Sequence, residues 1–468
     1  MSRLITLPLL FFGFSAFLFS QTEFAIYRFP NSALNGAQPN ASLIADKGGN
    51  LYGTTTYGGA GRCSGGAVIG CGTVFRLTPP AHLGGSWAET VIYNFQGGSD
   101  GYFPFGGVVS DQAGNLYGTT WSGGPNSGGT VFELTLPVSG STWTKSILYA
   151  FGADFGALSP SGGLAFDAKG NLYGTTGVTV VDDTCHWGGA APLCGTVFKL
   201  AKPSIVGGPW THRLLYSFGV SPFKLFGDGP TGSLALDTKG NVYGTTVSGG
   251  TSGLGQCADW GCGTVFELTP PASAHSTWTA TQLRAFQDGS GDGLVPEAGL
   301  LMDTSGNLYG STAFGGTGGS NDSSCQGPGV SSNCGTIFEL LPSVGGWSET
   351  IIYDFQGNGD AARPQAKLIF DKAGNIYGTT LAGGGASCPP FVIGCGTVFR
   401  LSPPGTSGQG WTETVLHAFT GSDGQFPDAG LIFSNDALYG TTSEGGESCP
   451  PGTGYTSATC GVVFKIVP

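Results

Sequence analysis

The sequence predicts an all-β fold, a seven-bladed β-propeller of four-stranded blades closed by the N-terminal strand pairing in the last blade. Three observations predict it. Four short strand-like strings recur together along the chain, no helix-period segment follows the first twenty residues, and the repeat is out of phase with the chain ends.

The first twenty residues are expected to be a signal peptide. Arg3 gives a short positive start, and Leu4 to Phe19 form an apolar run broken only by Thr6, Pro8, Gly13 and Ser15. That run is shorter than the roughly 20 residues of a spanning helix. Ser20 offers a small residue for cleavage before Gln21, although Leu18 suits that cleavage poorly. Residues 21–468 are then read as one propeller domain of seven tandem repeats, and no other segment is apolar enough to cross a bilayer.

Within each repeat the strings follow a fixed order. String a is Gly162-Gly163-Leu164-Ala165-Phe166-Asp167 in one copy and Ala298-Gly299-Leu300-Leu301-Met302-Asp303 in another. String b, Leu51-Tyr52-Gly53-Thr54-Thr55, returns with its tyrosine at Tyr117, Tyr173, Tyr243, Tyr309, Tyr377 and Tyr439, at spacings of 56 to 70 residues. String c, Gly72-Thr73-Val74-Phe75, returns with its phenylalanine at Phe132, Phe198, Phe266, Phe338, Phe399 and Phe464. String d runs from Trp87 to Phe95 and recurs from Trp143, Trp210, Trp278, Trp347 and Trp411. Each is β-branched and aromatic, bounded by Gly, Asp, Asn or Pro, which is a strand signature. Between a and b lies Asp-x-x-Gly-Asn, a tight hairpin turn.

The phase of the repeat argues for a ring. The seventh d-string, Thr22 to Phe29, stands near the N-terminus, and the last c-string, Gly461 to Ile466, has no d-string after it. Closing the ring joins the two and leaves no open terminal sheet edge there. A linear array of small domains would strand both.

All twelve cysteines fall between strings b and c, as the pairs Cys63 and Cys71, Cys185 and Cys194, Cys257 and Cys262, Cys325 and Cys334, Cys388 and Cys395, and Cys449 and Cys460. Local pairing of an even count in an exported chain reads as disulfide bonds. Zinc is the competing use of paired cysteines, but no repeat adds a matched His, so no metal is expected. No cofactor is expected either.

The net charge of −12 excludes a nucleic-acid partner, since phosphates need a basic surface. A recurring Asp-Gly-x-x-Pro carries Asp100, Asp292 and Asp423, with Asn35 in its place once and Asp228 and Asp360 in degenerate copies. It reads as a turn ahead of a cation site, because calcium wants six to eight oxygens.

Catalysis needs residues that break the repeat. His82, His186, His212, His275 and His417 are scattered, and no nucleophile elbow, zinc helix or phosphate loop is present. Asp182, Asp183, Asp259, Glu444 and Glu447 are non-repeating carboxylates that would need the right separation to act as a glycosidase pair. No catalytic residue is assigned.

Aromatic residues say more. Trp121, Trp187 and Trp260 are the tryptophans outside string d, and all lie in or beside the b–c connections of repeats two, three and four. Phe103, Phe155 and Phe223 lie in neighbouring d–a loops. Clustered aromatic surface with few charges suits sugar rings, while the competing reading makes each Trp a plug for its own loop.

Tandem Leu-Tyr-Gly-Thr-Thr followed by Gly-Gly and Gly-Thr-Val-Phe resembles the repeat of the bacterial "GloVer" choice-of-anchor tandem-repeat proteins. The resemblance implies an exported, secreted or cell-surface repeat protein without assigned chemistry. Such families often add a C-terminal anchor, and with Pro468 directly after the last string, free secretion is the expectation. The expected function is a monomeric binding or interaction module for glycans or other surface proteins. The alternatives are a polysaccharide-degrading hydrolase or lyase, or a purely structural surface protein.

Overall fold

A computed structural model describes residues 24–30, 35–63, 70–82, 84–137, 140, 142–152, 157–179, 194–205, 207–219, 227–250, 257, 261–273, 276–287, 291–318, 325, 333–357, 359–386, 388, 394–406, 409–446 and 460–468. The proposed signal segment lies outside them. The described residues hold seven four-stranded antiparallel sheets, each with strand order a-b-c-d from the inside out. In blade one these strands are Ile44–Ala45, Leu51–Thr55, Thr73–Thr78 and Ala88–Asn94.

The ring closes as its phase predicts. Phe24–Arg28 is the outer strand of the seventh sheet and runs antiparallel to Val462–Ile466, with Phe24 opposite Lys465 and Arg28 opposite Val462. Its pairing carries the same register shift that separates strands c and d in the other six blades, a bulge that increases the twist of the outer strand.

Each repeated residue has a mechanical reason. A Cβ on Gly53 of strand b would sit 2.7 Å from the Phe75 ring and 2.8 Å from Leu43, so the glycine makes room for the buried phenylalanine of strand c. The second threonine of strand b pairs with the threonine of strand c, as in Thr55 Oγ1 to Thr73 Oγ1 at 2.8 Å. In the a–b turn Asp46 accepts hydrogen bonds from the amides of Gly48 and Asn50, the Asn50 side chain and the Tyr52 hydroxyl. Blade seven replaces this turn with Asn435 and Asp436, both left-handed at φ 48° and 58°, which is two-residue hairpin geometry.

Strand a differs from its expected length. It pairs over two residues in six blades and three in the seventh. The cause is a kink before it. The residue preceding the strand-a proline is left-handed in every blade, six times without being glycine: Gln38, Phe103, Ser159, Val295, Arg363 and Phe426 lie at φ 58–61°, and Gly229 at 69°. Its amide donates to the preceding blade, in six cases to the carbonyl of a described disulfide-bonded cysteine, as Val295 to Cys262 at 2.9 Å and Phe426 to Cys395 at 2.9 Å. Its carbonyl accepts from its own blade at the end of strand b, as from Ala313 at 3.1 Å. The kink therefore locks blade to blade, and the chain rejoins strand b only afterwards.

The same lock explains the glycine of string c. At Gly263 a Cβ would meet Cδ of Pro296 from the next blade at 2.4 Å, and the backbone is left-handed at φ 99°. Among the described residues, seven hydrophobic clusters lie between the sheets, each shared by neighbouring blades and holding buried phenylalanines such as Phe95, Phe198 and Phe355.

Four disulfides join Cys63 to Cys71, Cys257 to Cys262, Cys325 to Cys334 and Cys388 to Cys395. Cys194 and Cys460 are also disulfide-bonded, while Cys185 and Cys449 lie outside the described residues.

Candidate functional site

The d–a and b–c loops share one face of the ring. Short antiparallel pairs between them, such as Gly36–Ala37 with Tyr57–Gly58 and Gly293–Leu294 with Phe314–Gly315, tie them together. On this face Asp100 accepts hydrogen bonds from the Tyr93 hydroxyl at 2.8 Å and the Gln96 amide at 2.8 Å, and pairs with Lys145 at 2.7 Å. Asp423 accepts from the Thr420 amide at 2.8 Å and pairs with His417 at 3.1 Å. These aspartates are engaged by their own loops and by neighbouring blades. Among the described residues no three His, Cys, Asp or Glu side chains group as metal ligands.

Of the six aromatic residues singled out from the sequence, Trp121 and Phe103 are described. Trp187, Trp260, Phe155 and Phe223 lie outside the described residues. Trp121 is 39% exposed, the one tryptophan among the exposed large hydrophobic side chains of the described residues. Its ring meets that of Phe105 edge-on at 6.0 Å. Phe103 is half-buried, with Tyr57 at 5.0 Å and Tyr102 at 4.8 Å, and so packs against its own loop and the b–c connection of blade one.

Phe105 leads from that face into the centre. The opening residues of strand a from all seven blades line a channel of about 320 Å³. The residue after each strand-a proline contributes to it: Asn40, Phe105, Ser161, Thr231, Glu297, Gln365 and Asp428. Two residues further on, the positions are small in every blade but the sixth, which has Lys367.

The electrostatics of this ring are uneven. Burial pushes the Asp428 carboxyl up to about 7, with Glu444 and Glu297 adding repulsion. Burial also raises Glu297, against the attraction of Arg363, and lowers Lys367. The side chains of Glu297, Lys367 and Asp428 keep some accessible surface, so they are enclosed by protein yet open to the channel. Asp428 Oδ1, Asn40 Oδ1 and Ser161 Oγ are buried with no hydrogen-bond partner in the protein.

The reading of the sequence missed this ring. Its signal was present, since these are the positions that vary inside an otherwise repeated string.

The match to known families rests on the strings that build the scaffold. The model of the Gloeobacter/Verrucomicrobia repeat matches residues 18–176, 61–323 and 319–468, which together reach the last residue. The chain belongs to that family. No curated protein matches this Gloeobacter/Verrucomicrobia repeat protein. Among solved structures it is similar to a luciferin-regenerating enzyme, at 11% identity over 94% of this chain and 95% of the other, with a TM-score of 0.39. It is also similar to a protein of unknown function from Dyadobacter fermentans, at 12% identity over 95% and 98%, with a TM-score of 0.41. At these scores nothing about ligand or reaction follows from either.

Proposed function

We propose that this repeat protein is an exported module that binds glycans on the loop-rich face of the ring. The observation that carries the reading is Trp121, an exposed ring on that face set edge-on to Phe105 at the channel. Flat aromatic surface among few charges suits the apolar faces of sugars. By sequence, Trp187 and Trp260 extend it into the next two blades. Export is supported by the apolar N-terminal run and by the disulfides, which persist in oxidising compartments.

A glycan array probed with the purified protein tests the reading. Trp121→Ala is expected to weaken binding at least tenfold, since losing a stacking anchor costs roughly 2 kcal/mol or more. Its melting temperature should hardly move. Silence across the array would favour a purely structural surface role.

A second reading, glycan cleavage, draws on Asp428, whose carboxyl is raised by burial to about 7 on a channel it shares with Glu297. Release of reducing sugar from an array-positive glycan, lost in Asp428→Asn, is its signature.

A further inference from the structure

Strand a opens on the same backbone in every blade: a left-handed residue, a proline, a channel-lining side chain, a small residue and a second channel position. The proline and the small residue recur because blade packing needs them. The channel side chains do not recur. Phe105, Glu297, Lys367 and Asp428 each occur once, and packing gives no reason to set two carboxyls, an ammonium and an aromatic ring around an enclosed space. Burying such polar groups costs free energy unless something satisfies them. Three neighbours of the same ring, Asn40 Oδ1, Asp428 Oδ1 and Ser161 Oγ, have no partner in the protein.

The channel states what would satisfy them. About 320 Å³ lies at the small end of ligand pockets, which suits one ring-sized molecule and no oligomer. The unpartnered oxygens of Asn40 and Asp428 call for hydrogen-bond donors, and the Ser161 hydroxyl can donate or accept a hydrogen bond. Glu297, Lys367 and Asp428 together give the channel no surplus of positive charge that would favour an anionic ligand. Phe105 offers an apolar ring to a flat face. Hydroxyl donors around a ring with an apolar face describe a neutral sugar.

Phe105 also touches Trp121, so the channel is continuous with the exposed aromatic on the loop face. We propose that the channel mouth is the pocket for one terminal neutral sugar residue, with the rest of the glycan running outward across Trp121. This rests on the glycan reading above and adds that recognition is end-on.

The test uses the full purified chain with glucose, galactose, mannose and N-acetylglucosamine as free pyranoses, and with linear tetrasaccharides of each, by titration calorimetry. One free pyranose is expected to bind, and excess of it should displace the matching tetrasaccharide from the unmodified protein. That competition needs no variant to fold. Asn40→Ala and Asp428→Ala should each weaken the free sugar at least tenfold, and Trp121→Ala should weaken the tetrasaccharide more than the free sugar. If a tetrasaccharide binds but no free pyranose displaces it, the channel pocket is wrong and the glycan reading stands. If the free sugar binds unaffected by both channel variants, the pocket is again wrong. If no sugar binds in either form, both fall.

Discussion

The hydroxyl of Thr441 donates a hydrogen bond to the carbonyl of Ala41, 400 residues earlier in the chain, at 3.2 Å. The same threonine of strand b reaches the next blade's strand a elsewhere, as Thr245 to Ala298 at 2.8 Å and Thr379 to Ala429 at 3.0 Å. The joint between the last and first blades is therefore built like joints inside the chain. It also has the amide lock, from Gln38 to the carbonyl of Cys460 at 3.0 Å. The N-terminal strand adds a third connection at the rim.

Removing that strand should expose Val462–Ile466 as an open edge. A truncation beginning at Pro30 is expected to melt earlier and to self-associate, because a bare strand edge templates pairing. Size-exclusion chromatography and thermal melting check this. A monomer with an unchanged melting temperature would count against strand-mediated closure.

The blade-to-blade lock makes Gly263→Ala costly. The new methyl must displace Pro296, and left-handed backbone adds its own penalty. The expected loss is about 1–3 kcal/mol from overpacking alone. Gly405→Ala, where a Cβ meets nothing within 4 Å, is the matched control and should be near neutral. Urea midpoints of the two variants give the comparison.

The disulfides close loops of short sequence separation, from 5 to 9 residues. By the chain-entropy estimate each contributes roughly 2–3 kcal/mol. Non-reducing peptide mapping should recover these four bonds together with Cys185–Cys194 and Cys449–Cys460. Reduction should lower the melting temperature without changing the far-ultraviolet spectrum of the folded state at room temperature. Bonds between different repeats would contradict this pairing.

How much of this was legible follows from what repeats. Strands, turns, ring closure and local cysteine pairing were readable because seven copies average away the noise of any one. The kink at Gln38, Arg363 and their equivalents was not, since five different side chains and a glycine hide one backbone conformation. The channel ring was hidden by the same search, which weighs what recurs and passes over Glu297, Lys367 and Asp428. Contacts between outer strands were also illegible. Arg284 pairs with Asp292 in the following loop and with Glu349 in the next blade's outer strand, each at 2.5 Å. Those partners are set by blade neighbourhood, which no local pattern encodes.

That outer-strand neighbourhood yields a pH prediction. In blade six Glu413 faces Asp360 where blade two places Lys145 against Asp100. Burial, with repulsion from Asp360, pushes Glu413 up to about 8 from an ordinary 4.5. Glu349 is raised to about 7 by burial and by Asp292, against Arg284. Asp428 in the channel is raised to about 7 by burial. A carboxyl with a raised folded pKa holds its proton in the folded chain and releases it in the unfolded one. Its favourable contribution is thus complete below the ordinary carboxylate range and disappears as pH rises through the folded value. Asp423 works in the opposite direction. Against burial, which would raise it, its carboxyl is held down to about 2 by His417 and Thr420, so its contribution is lost as pH falls below the ordinary 3.8. Stability should therefore peak on the acid side of neutrality and decline between pH 5 and 9. Glu413→Gln should flatten the upper part of that decline, because a neutral amide beside Asp360 has no proton to lose. Melting temperatures of both proteins across pH 3 to 9 decide it. A wild-type profile that rises from pH 5 to 9, or a variant that keeps the full decline, would show that the Glu413–Asp360 contact does not govern the alkaline limb.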